Sequence, residues 1–302
     1  QWRMAEKLAE FSDKTIIAGD DDQAVHRWTG VDVNLFINSS TDIEVLKQSY
    51  RIPKQVHRLA RGLVTRIDGR VPKTFLAREE LGVVEFVWHM DDIPFTEGSW
   101  TVMARTNTYV RDLAKWFSNT GFKYSVKGRP SISEKLVANI MAWDELCQDQ
   151  KLGVERIKTL YSGLPKQGES AVVKRGATKL LDALAPDAEV DMATLMADYG
   201  LLRGADYAAY DVLKVSESMR RYIEAIERRG EDLLSPPRIK LSTFHAMKGG
   251  EDDNCVVYTA STKACVESPH QDDEHRAFYV GVTRARHRLY ILQSDNKYRY
   301  TI

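Results

Sequence analysis

Short apolar runs that end in polar, glycine-bearing turns constrain this chain most. Thr15-Ile16-Ile17-Ala18 leads into Gly19-Asp20-Asp21-Asp22-Gln23, and Ile239-Lys240-Leu241-Ser242-Thr243 leads into a turn that carries Gly249-Gly250. Such a run reads as a buried strand. A polar glycine turn at its end suits the C-terminal edge of a parallel sheet, where open α/β sheets place their ligands. Further strand signals fall at Val83-Val84-Glu85-Phe86-Val87, Trp100 to Arg105, Tyr124-Ser125-Val126, Cys255-Val256-Val257-Tyr258 and Arg288-Leu289-Tyr290-Ile291-Leu292. Helical patterns alternate with them. Gln1 to Phe11 puts Trp2, Leu8 and Phe11 on one side, Val45 to Leu63 is interrupted by Pro53, one helix runs through Phe117, and another starts near Glu274. The alternation predicts an α/β domain.

The pattern changes after about Glu134. From there to about Gly230 the strand signals fade and amphipathic helical patterns dominate, with loops at Gly163-Leu164-Pro165 and Ala185-Pro186-Asp187. Pro236-Pro237 ends this stretch, because neither residue can continue a helix. The α/β domain is thus expected to be interrupted by a helical insertion and then resumed. There are no repeats and no low-complexity tract.

Composition excludes several classes of protein. Lys+Arg and Asp+Glu both total 43, so any basic surface for a nucleic acid must be local. Cys147, Cys255 and Cys265 are scattered and odd in number, which argues against a disulfide framework or a zinc site and fits a reducing, cytoplasmic setting. No apolar run approaches the roughly 20 residues of a membrane span, and no signal peptide is visible, so no membrane partner is expected. The chain opens on Gln-Trp-Arg without Met and reads as a cut or processed end.

Four segments carry residue types suited to phosphate and base chemistry. In Gly19 to Trp28, Gln23 at a strand edge can hydrogen-bond a phosphate or a water. Trp28 can offer its face to an unpaired base, a contact of about 1–3 kcal/mol. Read alone, the same segment is an acidic turn before a helix with a core Trp. In Gln48 to Pro53, Tyr50 can stack on a purine and Arg51 can fork onto a phosphate; read alone, Arg51 is an exposed cation before a helix-kinking Pro. In Thr243 to Glu251, Thr243, His245 and Lys248 can hold a sugar–phosphate backbone and Glu251 can accept from a ribose; the alternative is a strand-to-loop turn with a structural His. In Tyr279 to Arg286, Arg284 projecting from a helix end can match a transferring phosphoryl group; the alternative is a basic helix C-terminus that suits the helix dipole.

Taken together and in this order, the segments resemble the later motifs of the UvrD/Rep/PcrA family of superfamily 1 helicases. "AGDDDQAVHRWTG" looks like that family's GD(D/A)DQSIYxWRG segment, "SYRIP" its NYRS, "STFHAMKGGE" its TxHxAKGLE and "FYVGVTRARHRLYIL" its YVxxTRA. The stretch "VMARTNTYVRDLAKWFSNTGFKYSVKG" resembles the RxN…R stretch that opens the family's second motor domain. The resemblance covers the chain apart from the helical insertion.

It implies a RecA-like parallel-sheet motor domain with a helical insertion and a remnant of the first motor domain. The boundaries expected are 1–48 for the remnant, 49–133 and 237–302 for the second motor domain, and 134–236 for the insertion. It implies that Gln23 senses the γ-phosphate, that Arg51 and Arg284 are arginine fingers, that Tyr50 stacks on adenine and that Glu251 binds the ribose. His26, Trp28, Asn107, Thr243 and His245 would contact single-stranded DNA. ATP with Mg²⁺ is the implied cofactor, 3′–5′ movement the implied polarity, and an N-terminal motor domain of the same protein an implied partner.

Departures from the family pattern are specific. His26 stands for Tyr, Thr29 for Arg, Ser49 for Asn, Gly250 for Leu and Asp252 for Phe, and the last two put the packing of that turn in question. No G-x-x-x-x-G-K-[ST] occurs. The nearest string, Gly163 to Ser170, has Glu169 in the lysine position and lies in the insertion. The acidic Mg²⁺-binding segment that precedes "QW" in the family is not among the 302 residues. The expectation is the C-terminal part of an ATP-dependent DNA translocase or helicase, unable to turn over ATP by itself. Alternatives are a non-enzymatic DNA-binding or scaffold remnant, or the motor subunit of a RecB/AddA-type helicase–nuclease.

Overall fold

A computed structural model describes residues 2–30, 32–39 and 42–302, with the side chain of Trp28 outside the described residues. Two compact units divide the chain. One comprises the chain up to Ala114 together with Arg238–Ile302, and the other is Lys115–Pro237.

The first unit is built on five parallel strands. Their order is Val83–Val87, Ala285–Leu292, Asp252–Tyr258, Trp100–Ala104 and Ile239–Thr243. This is the mixed α/β architecture with a parallel central sheet expected of a RecA-like motor domain. Every residue of Trp100–Ala104 is buried, as a central strand covered on both faces requires. Helices Lys54–Val64 and Gln271–Val282 supply the apolar cover. Val56, Ala60 and Leu63 join Ala277, Phe278 and Val282 with Cys255, Val257, Leu289 and Ile291 in one buried cluster.

Gly281 is required by that packing. A Cβ there would lie 2.8 Å from the ring of buried Phe244, so only a residue without one lets the helix approach so closely.

Two sequence expectations are overturned here. Thr15 to Ala18 is not a strand. It has no sheet partner among the described residues, and Ile16 and Ile17 are exposed. A buried strand needs neighbours to take its backbone N–H and C=O groups, and none of the five strands reaches it. The helices Trp2–Ala9 and Val33–Ile37 likewise bury no residue.

The second correction concerns Val45 to Leu63. The stretch before Pro53 is extended, with Gln48 bridging to Leu76, and the helix starts only at Lys54. Pro53 is the N-cap at φ −73°, and its ring disfavours helical geometry in the residue before it, so the proline starts this helix rather than interrupting one.

The second unit has its own core. Trp143, Leu146, Ile157, Leu160, Tyr161 and Ile223 are all fully buried within one cluster. Its longer helices are Glu134–Cys147 and Glu217–Arg229, N-capped by Ser133 and Ser216, whose side chains accept from the amides of Leu136 and Met219. Val154–Gly163 packs beside the first of these. Small β elements accompany them: a hairpin of Tyr124–Val126 with Arg129–Pro130, and a ladder of Leu152–Gly153 with Glu189–Val190. Lys123 is buried in this unit and donates to the carbonyls of Asp232 and Ser235.

Candidate functional site

The singled-out residues divide between the two edges of the parallel sheet: Thr243 ends one strand and His245 follows it, whereas Glu251 and Arg284 immediately precede the strands Asp252–Tyr258 and Ala285–Leu292, at their N-terminal ends, and not at the C-terminal edge that the sequence suggests. Gln23 lies in the 3₁₀ turn Asp21–Gln23, capped by Asp20, whose Oδ1 accepts from the Asp22 amide at 3.1 Å. The carboxamide of Gln23 is held at both ends. Its Nε2 donates to Asp20 Oδ2 at 2.5 Å, and its Oε1 accepts from Arg284 Nη2 at 3.1 Å.

Arg284 does not project into solvent from the end of its helix, contrary to the sequence expectation. It is fully buried. Its Nε donates to the Val280 carbonyl at 2.8 Å, Nη1 to the Gly250 carbonyl at 3.1 Å and Nη2 to Thr283 Oγ1 at 2.9 Å. The reason is local: the helix ends at Val282, the chain turns at once into the Ala285–Leu292 strand, and the long side chain folds back under the turn to satisfy carbonyls that the helix end leaves open. No carboxylate pairs with this guanidinium among the described residues. Burial, then the nearby positive charge of Arg51, push its pKa down from the usual arginine range to about 10, which leaves it charged at neutral pH.

Arg51 sits just before the helix start at Lys54. Ser49 Oγ accepts from the amides of Arg51 and Ile52 at 3.4 and 3.2 Å, so the hydroxyl that stands in the Asn position still ties the turn. Arg51 Nε lies 2.7 Å from Glu251 Oε2, and Arg286 Nη1 lies 3.5 Å from the other carboxylate oxygen. The two predicted fingers and the predicted ribose ligand thus belong to one charged cluster. Tyr50 stands next to it and is 85% exposed.

The turn Thr243 to Glu251 is well packed despite Gly250. A Cβ at Gly250 would lie 2.3 Å from Met247 Cε, so the Met247 side chain already occupies the space a larger residue would fill. Asp252 is buried and opens the next strand. Its carboxylate accepts from Ser99 Oγ, from Thr101 Oγ1 at 2.8 Å and from Lys240 Nζ at 3.2 Å. The apolar contact expected at this position is replaced by a buried hydrogen-bonded network.

His26 and His245 face each other with ring centroids 6.2 Å apart. Burial, then Arg105 and then His26, push the His245 pKa down to about 4, so its ring is neutral at physiological pH. Thr243 Oγ1 accepts from the Ala246 amide at 3.3 Å. Asn107 is exposed at the start of the helix Asn107–Thr120. The side chain of Trp28 lies outside the described residues.

Sequence reasoning missed the charged side chains that hold this region together. Arg105 grips Glu274 through two nitrogens, one at 2.7 Å. Arg70 does the same to Asp22 at 2.8 and 2.7 Å. Lys73 contacts Asp20, Asp21 and Asp22, and buried Arg276 donates to the Asp21 carbonyl at 2.9 Å. The one available signal was Asp20-Asp21-Asp22 itself, since carboxylates placed beside an apolar run must either stay in water or find cations.

Residues 212–296 match the UvrD-like helicase C-terminal domain. The chain is thus similar to the UvrD/PcrA-like superfamily 1 helicases. The ATP-dependent DNA helicase PcrA of Bacillus subtilis (strain 168) is 21% identical over 398 residues, covering 96% of this chain and 52% of the relative. The ATP-dependent DNA helicase PcrA of Leuconostoc citreum is 24% identical over 183 residues, covering 52% of this chain and 24% of the relative. The chain therefore spans about half the length of the first relative and about a quarter of the second. The first comparison extends over 398 positions against 302 residues here, so that relative carries segments this chain lacks.

Proposed function

We propose that this chain supplies the second motor domain of an ATP-driven motor that moves along single-stranded DNA in the 3′–5′ direction. The observation that carries the reading is the buried guanidinium of Arg284. Among the described residues it is bonded only to neutral acceptors, is crowded by the positive charge of Arg51, and touches the amide of Gln23. A buried cation without a carboxylate is costly unless an anion completes it. A terminal phosphate is the anion that Gln23, Arg51 and Arg284 fit together.

In this reading Arg284 and Arg51 bind the γ-phosphate and offset charge that develops as it leaves, and Gln23 orients a water or a phosphate oxygen beside them. Glu251 accepts from the ribose hydroxyls, and Tyr50, exposed beside Arg51, covers the adenine. His26, Trp28, Asn107, Thr243 and His245 form part of the DNA track. The neutral ring of His245 suits stacking on bases and hydrogen bonding rather than a fixed charge on phosphate. Residues 1–48 belong with a first motor domain of the same protein, and 134–236 form the insertion.

Bound ATP supplies the transferable phosphoryl group, and everything else assigned to this chain is binding, orientation and charge compensation. Mg²⁺ does not fit the acids here. Asp21 and Asp22 are already taken by Lys73, Arg70 and the Val71 amide, and no group of potential ligands for a metal occurs among the described residues. No step is assigned to it.

The test is DNA-stimulated ATP hydrolysis by the full-length protein. Arg284→Ala is expected to lower it by about 10³-fold or more, the usual effect of losing an arginine finger. Substantial stimulated turnover by that variant would refute the role of Arg284, and no stimulation of the wild type would refute the motor. The 302 residues by themselves are expected to bind nucleotide weakly and to hydrolyse none.

A further inference from the structure

Three consecutive carboxylates lead into Gln23, and they are not solvated. Asp21 and Asp22 are buried, and Lys73 is 15% exposed. Lys73 Nζ lies 3.3 Å from Asp20 Oδ1 and 2.9 Å from Asp22 Oδ2, and it also contacts Asp21 Oδ1. Arg70 covers Asp22, and the Val71 amide donates to Asp21 Oδ2 at 2.7 Å. Lys73 is the side chain that touches all three acids. Of the three carboxylates, that of Asp20 also accepts from the Gln23 carboxamide.

The donor and acceptor roles in this series run one way. An ammonium can only donate and a carboxylate can only accept, so Asp20 pairs with the charge of Lys73 at 3.3 Å and accepts a hydrogen bond from the Gln23 amide nitrogen. That leaves the Gln23 oxygen facing away from Asp20, and a guanidinium, which can only donate, meets it at 3.1 Å. The flipped carboxamide would set an oxygen against the carboxylate and an NH₂ against the guanidinium. One orientation of Gln23 is therefore selected by charge type at both ends.

We propose that Lys73 is a positioning residue of the phosphate site: acting through Asp20, it holds the Gln23 carboxamide with its oxygen toward Arg284. Raised by its acidic partners against the opposing effect of burial, the Lys73 pKa keeps it charged over the neutral range. The inference rests on the reading that Gln23 and Arg284 act on the terminal phosphate, and it adds a residue that touches neither nucleotide nor DNA.

The experiment is a double-mutant cycle in the full-length protein, reading kcat and KM for ATP with single-stranded DNA present, and the thermal midpoint of each variant. Lys73→Gln is expected to lower kcat by about tenfold to a hundredfold with little change in KM, as misplacing an orienting group does. Lys73→Arg should recover much of the loss. In a Gln23→Ala background, Lys73→Gln should change kcat by less than about twofold, although its effect on the thermal midpoint persists. Asp20→Asn provides the second route. It keeps a side-chain oxygen for the Asp22 amide and leaves the contacts of Lys73 with Asp21 and Asp22 in place, but cannot both cap and accept from Gln23, so it should reproduce the kcat loss with little cost in stability. An unchanged kcat for Asp20→Asn, or an equal loss from Lys73→Gln with and without Gln23, overturns the proposal. Absence of ATP turnover in the wild type instead overturns the motor reading, and this inference with it.

Discussion

Arg51 and Glu251 are 200 residues apart in sequence and form an ion pair of 2.7 Å. One is placed by the turn that ends at Pro53, the other by the glycine turn between two parallel strands. Glu251 thus occupies the cation that the proposed site would present to a phosphate.

Competition follows from that pairing. The two side chains are 33% and 41% exposed, so the pair contributes no more than about 1 kcal/mol, a factor of about five. Glu251→Gln is expected to tighten binding of tripolyphosphate by about twofold to fivefold at low salt, and to reduce the preference for ATP over tripolyphosphate. Titration calorimetry on both proteins checks this; equal tripolyphosphate affinities would show that Glu251 does not restrain Arg51.

Arg284 should not tolerate lysine. Its three nitrogens reach the Val280 and Gly250 carbonyls, Thr283 and Gln23 at once, a fork that a single ammonium cannot reproduce. Arg284→Lys keeps the charge, yet DNA-stimulated ATP turnover is expected to fall by about 10²-fold or more. Retention of most of the turnover in steady-state assays would mean that charge alone suffices.

The acidic turn makes stability depend on pH at both extremes. Burial acts to raise the Asp22 pKa, but hydrogen bonds from Arg70 and Lys73 outweigh it and hold it below the ordinary value of 3.8. A depressed carboxylate stabilises the fold above its unfolded pKa, and that stability is lost as pH falls through the folded pKa. Lys73 is raised above 10.5 by Asp21 and Asp22 against burial, so its contribution is present below 10.5 and lost as pH rises through the folded value. Urea midpoints measured across pH should form a plateau through neutrality and fall at both ends. Lys73→Met, which leaves buried acids short of a cation, should cost about 3 kcal/mol.

His245 should remain neutral well below the usual histidine range. Its folded pKa of about 4 lies under the ordinary 6.5, so between those values the unfolded chain binds the extra proton and stability declines as pH falls. The ring Cε1–H resonance, followed by NMR titration, is expected to show a midpoint near 4; a midpoint above 6 would mean that the ring is not buried beside Arg105 and His26.

Local chemistry was enough to place the strands Val83–Val87, Trp100–Ala104 and Ile239–Thr243, because short apolar runs between turns have few other uses. Pro53 marked a helix boundary, although its role as a helix start rather than a kink depended on what the preceding residues paired with. The order of Gln23, Tyr50, Arg51, Glu251 and Arg284 was legible as motif spacing. Pairings across the chain were not. Thr15 to Ala18 has the composition of a strand, yet a strand exists only when neighbours take its backbone groups, and the tertiary structure offers none here. Arg284 reads in sequence as a basic helix end. Its burial follows from the chain turning at once from the helix into the Ala285–Leu292 strand, so that the side chain folds back onto the carbonyls of Val280 and Gly250. Lys73 and Arg70 carry no periodicity at all. Their meaning came from the fold, which brings two cations from a patternless loop onto the carboxylates of Asp20, Asp21 and Asp22 some fifty residues earlier, where only opposite charge makes the burial tolerable.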